Sequence, residues 1–344
     1  MATLREIKTR IGSVKSTLKI TGAMKLVASI KLQKAQRKLL AIVPYEEALR
    51  GMLRSLPLPA AFTAGPRPPA KPGVTRFVMP DSGNLMPDPD RASLPRGKTA
   101  VLAIASNNSL CGAFNHKVIA AALDEVHSLW NSPVDLGLLD PGDQEKNIAH
   151  LDPGDQLEVI PVGRKMGDAM HHAGFSFENI IPSLSGDPSY EEAAHLADKI
   201  VARFLSGEYS RVIMVYTHYL TPASQRVTVE QFLPLAGAID HNPLNHSAGT
   251  PSEDWTPTAD QTTPSEDWIV EPDAEALAGR LLPEVLRVRL YATLLDSAAA
   301  EHAARTMSMQ AATDNANNLI DELTLQYNKG RQQKITAEIL DLSR

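Results

Sequence analysis

The chain has 344 residues, a net charge of −6 and 43% hydrophobic side chains, of which few are aromatic. That is enough for one large domain or two ordinary ones, built from helices and aliphatic strands rather than an all-β sandwich. A single cysteine, Cys111, excludes an internal disulfide, and no apolar run reaches the ~18 residues needed to cross a bilayer.

The charge is unevenly spread. Residues 1–40 carry ten Lys or Arg against one acid, Glu6, yet lack the apolar block of a secretory leader. Apolar residues recur at Leu4, Ile7, Ile11, Val14 and Leu18 in alternating steps of three and four, which is a heptad seam. Near Thr21 the phase is expected to slip to Ile20, Met24 and Val27, before Leu32, Ala35, Leu39 and Ile42 resume the first register. The pattern predicts one long helix over residues 4–56, reaching ~80 Å, with a kink at Pro44. Residues 57–97 hold ten Pro and four Gly and read as a loop insertion.

From Thr99 the pattern becomes α/β. Residues 99–105 read as a buried strand, 114–130 as a helix, 157–162 as a strand and 163–174 as a helix. A helix over 190–205 and strands over 211–217 and 225–233 follow. Strands alternating with helices predict a Rossmann-like α/β domain, residues 98–239, with a mostly parallel sheet. Two short duplications, Asp140–Gln144 with Asp152–Gln156 and Thr250–Trp255 with Thr263–Trp268, read as surface loops. Residues 240–273 hold eight acids and no Lys or Arg, and 240–272 reads as an acidic loop insertion.

The segment 273–344 returns to helix, with Pro283 expected to kink or end a short first piece. A heptad then runs through Val285, Val288, Ala292, Leu295, Ala299, His302, Thr306, Met309, Thr313, Ala316, Ile320, Leu323 and Tyr327. Two long helices flanking a globular domain predict an antiparallel coiled coil made from the two ends of the chain. Its many Ala and Thr seam positions permit close approach.

Chemical motifs are weak. Gly97-Lys98-Thr99 lacks the upstream glycine of a phosphate loop, since position 92 is Ala, and it precedes its strand instead of following one. Cys111 reads as a small buried residue at a strand-to-helix turn, and His171 and His172 have no companion at metal-ligand spacing. No catalytic residue, cofactor or metal is expected. The basic helix leaves a nucleic-acid-binding coiled coil as the alternative, although its charge overlaps the seam instead of preceding it.

Three stretches resemble ATP synthase γ subunits. They are Leu4–Ala28, the ending Ala304–Ala316 with its continuation Tyr327–Ile339, and, more loosely, Ser106–Asn115. The resemblance implies the rotor shaft of an F-type ATP synthase, a non-catalytic subunit that couples ion flow through the c-ring to the binding states of the β subunits. It implies partners in the α and β subunits of the ring, the ε subunit and the c-ring, with no nucleic acid. Membrane association would come only through the complex, at the cytoplasmic face of the bacterial inner membrane. By position, Met24 and Lys25 match the stretch where the family's N-terminal helix meets β, and Arg305, Arg331, Gln332 and Thr336 match C-terminal positions that contact the ring. The basic face of residues 5–38 is expected to meet acidic loops of β. Asn107-Asn108-Ser109 replaces the family's frequent Asp-Arg-Gly, so no role carries over to that turn.

Overall fold

A computed structural model of the chain describes residues 4–54, 56, 59, 62, 97–131, 157–175, 177–235 and 273–342. Both predicted duplications, the acidic segment 240–272 and most of the Pro-rich segment lie outside them.

The first helix, α1 (Leu4–Arg54), has 51 residues, and the last, α5 (Ala274–Leu342), has 69. At 1.5 Å per residue they extend ~77 Å and ~100 Å. Between them lie β1 (Lys98–Ile104), α2 (Phe114–Asn131), β2 (Leu157–Val162) and α3 (Arg164–His172). Then come α4 (Tyr190–Leu205), β3 (Tyr209–Thr221) and β4 (Ser224–Leu233). The sheet order is β2-β1-β3-β4. β1 runs parallel to both β2 and β3, and β4 closes an antiparallel hairpin on β3.

Side-chain alternation sorts the sheet into two covered faces. Ala100, Leu102 and Ile104 of β1 with Val212, Met214 and Tyr216 of β3 pack against α4 and the lower parts of α1 and α5. Val101, Ala103 and Val215 point the other way, onto Val118, Ala122 and Val126 of α2 and Met166 and Met170 of α3. The helix pair is therefore part of the domain's core at one end and leaves it at the other. Phe62, inside the segment read as an insertion, also belongs to this core; its ring lies 6.3 Å from that of Phe204.

The two long helices pair antiparallel in a single register. A Cβ on Gly330 would stand 3.1 Å from Leu4 Cδ2. Thr21 meets Thr313 through their hydroxyls, 17 residues onward from Leu4 and 17 back from Gly330. Further along, Leu32 and Ala35 pack with Ala299 and Ala303. All thirteen predicted seam positions of α5 are buried or half-buried.

Two expectations are corrected. The α1 seam does not slip: Thr21, Lys25 and Ala28 carry the first register through to Leu32, all buried or half-buried. Ile20 and Val27 are instead 61% and 53% exposed. Nor does Pro283 end a helix. α5 passes through it, because Leu282, Val285 and Leu286 are buried in the core on either side. That apolar burial offsets the ~3 kcal/mol that an interior proline costs. α1 passes through Pro44 as one long helix, as expected, with Leu49 and Leu53 buried beyond it.

Candidate coupling surface

The six residues matched to coupling positions do not form one cluster. Met24 and Lys25 lie half-buried in the middle of α1, Lys25 on the seam itself. Arg331, Gln332 and Thr336 lie on the far end of α5, past Gly330, where every residue from 331 to 340 is exposed. Leu4 is packed beside Gly330, so the last turns of α5 extend ~18 Å beyond the first described residue of α1. Arg305 differs from the rest. Its side chain is 11% exposed, and Nη1 donates to Glu301 Oε1 at 2.6 Å. Nη2 lies 3.5 Å from Asn108 O, tying α5 to the turn that follows β1.

That turn is tightly organised. Ser106 Oγ donates to Asn108 O at 2.6 Å, and Asn115 Oδ1 accepts from Ser106 N at 3.1 Å. Asn107 Oδ1 accepts from Arg164 N at 3.0 Å, and its Nδ2 donates to Pro182 O at 2.8 Å. The departure from Asp-Arg-Gly thus leaves Asn107 and Asn108 with structural work of their own. Cys111 is 1% exposed at the turn leading into α2, as expected. Leu110 beside it is exposed and holds φ at 67°, a region that non-glycine residues enter only when the surroundings enforce it.

An apolar stripe lies on the outside of α1, where the seam pattern alone does not place one. Ile20, Leu26, Val27 and Ile30 are all more than half exposed, on the side away from α5. Met307, Leu319, Leu325, Ile335 and Ile339 of α5 are also exposed. The signal is present in the sequence as an excess: α1 has more apolar residues than one seam can absorb, and a surplus on a second face marks a surface that something else covers.

A cleft of about 470 Å³ lies between β2 and α4, lined by Ile160, Ile181, Leu184, Glu178, His195 and Arg203 among others. Its charges answer one another. Arg203 reaches Glu158 at 2.7 Å and Glu178 at 3.0 Å, and Lys199 reaches Glu178 at 2.9 Å. The Tyr209 hydroxyl accepts from Arg203 and raises the guanidinium's pKa, while burial pushes the phenol's own pKa up. Lys199 lowers the Glu178 carboxyl. These partners favour the ionised forms of Arg203 and Glu178 and the neutral form of Tyr209.

The family model described as ATP synthase matches residues 3–343. The ATP synthase gamma chain of Bacteroides thetaiotaomicron is 38% identical over 99% of this chain and 98% of its own length. This chain belongs to the ATP synthase gamma chain family. That of Flavobacterium johnsoniae is 33% identical, with 99% and 97% covered. In fold, this family member is similar to the rotor of the Euglena gracilis mitochondrial ATP synthase, at 18% identity and a TM-score of 0.57 over 96% of this chain and 98% of that one. The same organism's OSCP/F1/c-ring structure gives 17% identity and a TM-score of 0.56, covering 98% and 92%.

Proposed function

We propose that this chain is the central-stalk rotor subunit of an F-type ATP synthase, joining ion flow through the membrane c-ring to the conformational cycle of the catalytic β subunits. The observation that carries the reading is the identity, spread over nearly the full length, to gamma chains. The architecture suits a shaft, with a core-anchored helix pair in one register and an exposed helical segment over residues 331–340. The subunit is non-catalytic and works by differential contact. A shaft shifts a β subunit between states only if its contacts differ in free energy between those states, and an asymmetric pair of helices meets that condition as it turns.

Its partners are the α and β subunits around the helix pair and the ε subunit and c-ring at the α/β domain. The exposed stripe Ile20, Leu26, Val27 and Ile30 is the surface the ring covers. Met24, Lys25, Arg331, Gln332 and Thr336 contact the ring from their two levels on the shaft. Arg305 belongs with them by position, although its guanidinium is engaged by Glu301 of its own helix and approaches Asn108 O of the α/β domain. No helix among the described residues is long and apolar enough to cross a membrane. The chain is a peripheral member of a membrane complex, and we place it on the cytoplasmic face. Family membership displaces the nucleic-acid alternative. Of the N-terminal bases, Lys34 and Lys38 are already paired with Asp187.

Tagging the chain in its own cell and purifying it in mild detergent tests this reading. Recovery of α, β and ε subunits with ATPase activity is the expected result; recovery of the chain alone, or with nucleic acid, overturns it.

A further inference from the structure

Where the helix pair leaves the α/β domain, both helices are tethered from two sides. Lys34 Nζ donates to Asp187 Oδ2 at 2.7 Å and Lys38 Nζ to Oδ1 at 2.8 Å, so one carboxylate in the loop before α4 holds two turns of α1. The two ammonium groups hold the Asp187 carboxyl down at about 2. Two residues on from Lys34, Gln36 Nε2 donates to the Tyr219 hydroxyl of β3 at 2.9 Å. Positions two apart lie about 200° around a helix axis, so loop 182–187 and strand β3 grip α1 from opposite sides.

The same two elements grip α5. Asp296 Oδ1 accepts from Tyr219 N at 3.1 Å, and its Oδ2 lies 2.6 Å from His218 Nδ1. His302 Nε2 lies 2.8 Å from Gly186 O. A carbonyl can only accept, so His302 carries its proton on Nε2. Asp296 and His302 are six residues apart, about 240° around the axis, which again places the tethers on different sides. Asn107 Nδ2 on Pro182 O and Arg305 on Asn108 O brace the loop and the neighbouring turn.

We infer that Asp187 and Tyr219 are positioning residues of the rotor, the two jaws of a collar that locks the helix pair to the α/β domain against twisting. Apolar packing below the collar is non-directional and resists separation better than rotation. Opposed directional bonds act as a couple: turning either helix about its axis must stretch one of them. A half-exposed ion pair adds little to folding stability. Its place here is explained by the direction in which it pulls.

The inference rests on the rotor reading, and its test uses the assembled complex. With the α/β ring fixed and a bead on the α/β domain of this chain, the angular variance of the paused rotor reports torsional stiffness. Asp187→Asn and Tyr219→Phe each raise that variance, and the double variant adds little beyond the larger single effect, because a couple is lost with either member. Asp187→Glu, which keeps the charge, restores most of the stiffness. Amide exchange over residues 34–42 of α1 quickens by up to about fivefold in Asp187→Asn, the scale of one exposed ion-pair network. Raising ionic strength softens the unaltered complex but not Asp187→Asn. Complexes that assemble and hydrolyse ATP with unchanged variance and exchange overturn the collar. If Asp187→Asn does not assemble, a flat salt series on the unaltered complex overturns it equally. Failure of the unaltered chain to join a ring at all would defeat the rotor reading instead.

Discussion

The hydroxyls of Thr21 and Thr313 stand 3.1 Å apart across the helix seam and share a hydrogen bond. Each also lies within reach of a carbonyl on its own helix, Leu18 O at 3.1 Å and Met309 O at 2.8 Å. A polar pair facing across one level of the seam favours a single register, since sliding either helix by a turn would part the two hydroxyls. Replacing both with Val is expected to change unfolding free energy by less than about 1 kcal/mol, because both partners leave together. Register should loosen all the same. Faster amide exchange over residues 14–28 in the double variant, at nearly unchanged global stability, is the result that shows it.

Small residues set how closely the helices approach. Ala28 is 2% exposed and Ala299 fully buried, both on the seam. Ala28→Leu or Ala299→Leu should each cost about 1–3 kcal/mol in denaturant unfolding, since no space exists for the added carbons.

The collar carries two titrations of the same sign. Burial lowers the pKa of His302 below 6.5, with Arg305 and Lys31 acting in the same direction and Glu301 and the bond to Gly186 against them. The unfolded chain therefore takes up this proton first, and stability falls as pH drops below about 6.5. Asp187 is depressed from 3.8 to about 2, chiefly by hydrogen bonds from Lys34 and Lys38, so its share is present above 3.8 and lost as pH falls through that window. Denaturation midpoints measured against pH should show both steps. His302→Gln, whose amide can still donate to Gly186 O, should flatten the upper one, and Asp187→Asn the lower.

Gly163 sits between β2 and α3 with φ at 93°, and a Cβ there would lie 2.2 Å from Ala105 O. Gly163→Ala combines a left-handed backbone with a clash against main chain, and should destabilise the domain by about 3 kcal/mol or more. A thermal unfolding scan would read it directly.

Much of this fold is legible in the sequence because periodicity reports burial. The seam of α5 can be read from Val285 to Tyr327 since one register accounts for its apolar and small residues. The middle of α1 misleads because Thr21 and Lys25 occupy seam positions while the more apolar Ile20 and Val27 face outward. Local hydrophobicity does not separate a face covered within the chain from one covered by another subunit. Pro283 misleads for a different reason: tertiary burial of Leu282 and Leu286 outweighs a local backbone penalty. The collar is invisible in the sequence. Lys34 and Asp187 are 153 residues apart, and Gln36 and Tyr219 are 183. No local pattern joins them.

A rotor must turn, and rotation can be watched directly. Cys111 is the chain's single cysteine and is buried, so a cysteine introduced at exposed Ser128 on α2 gives a unique handle for a bead. With the α/β ring held on a surface and ATP supplied, the bead should rotate in one direction in discrete steps. ATP hydrolysis at an undiminished rate with a stationary bead would contradict the rotor reading.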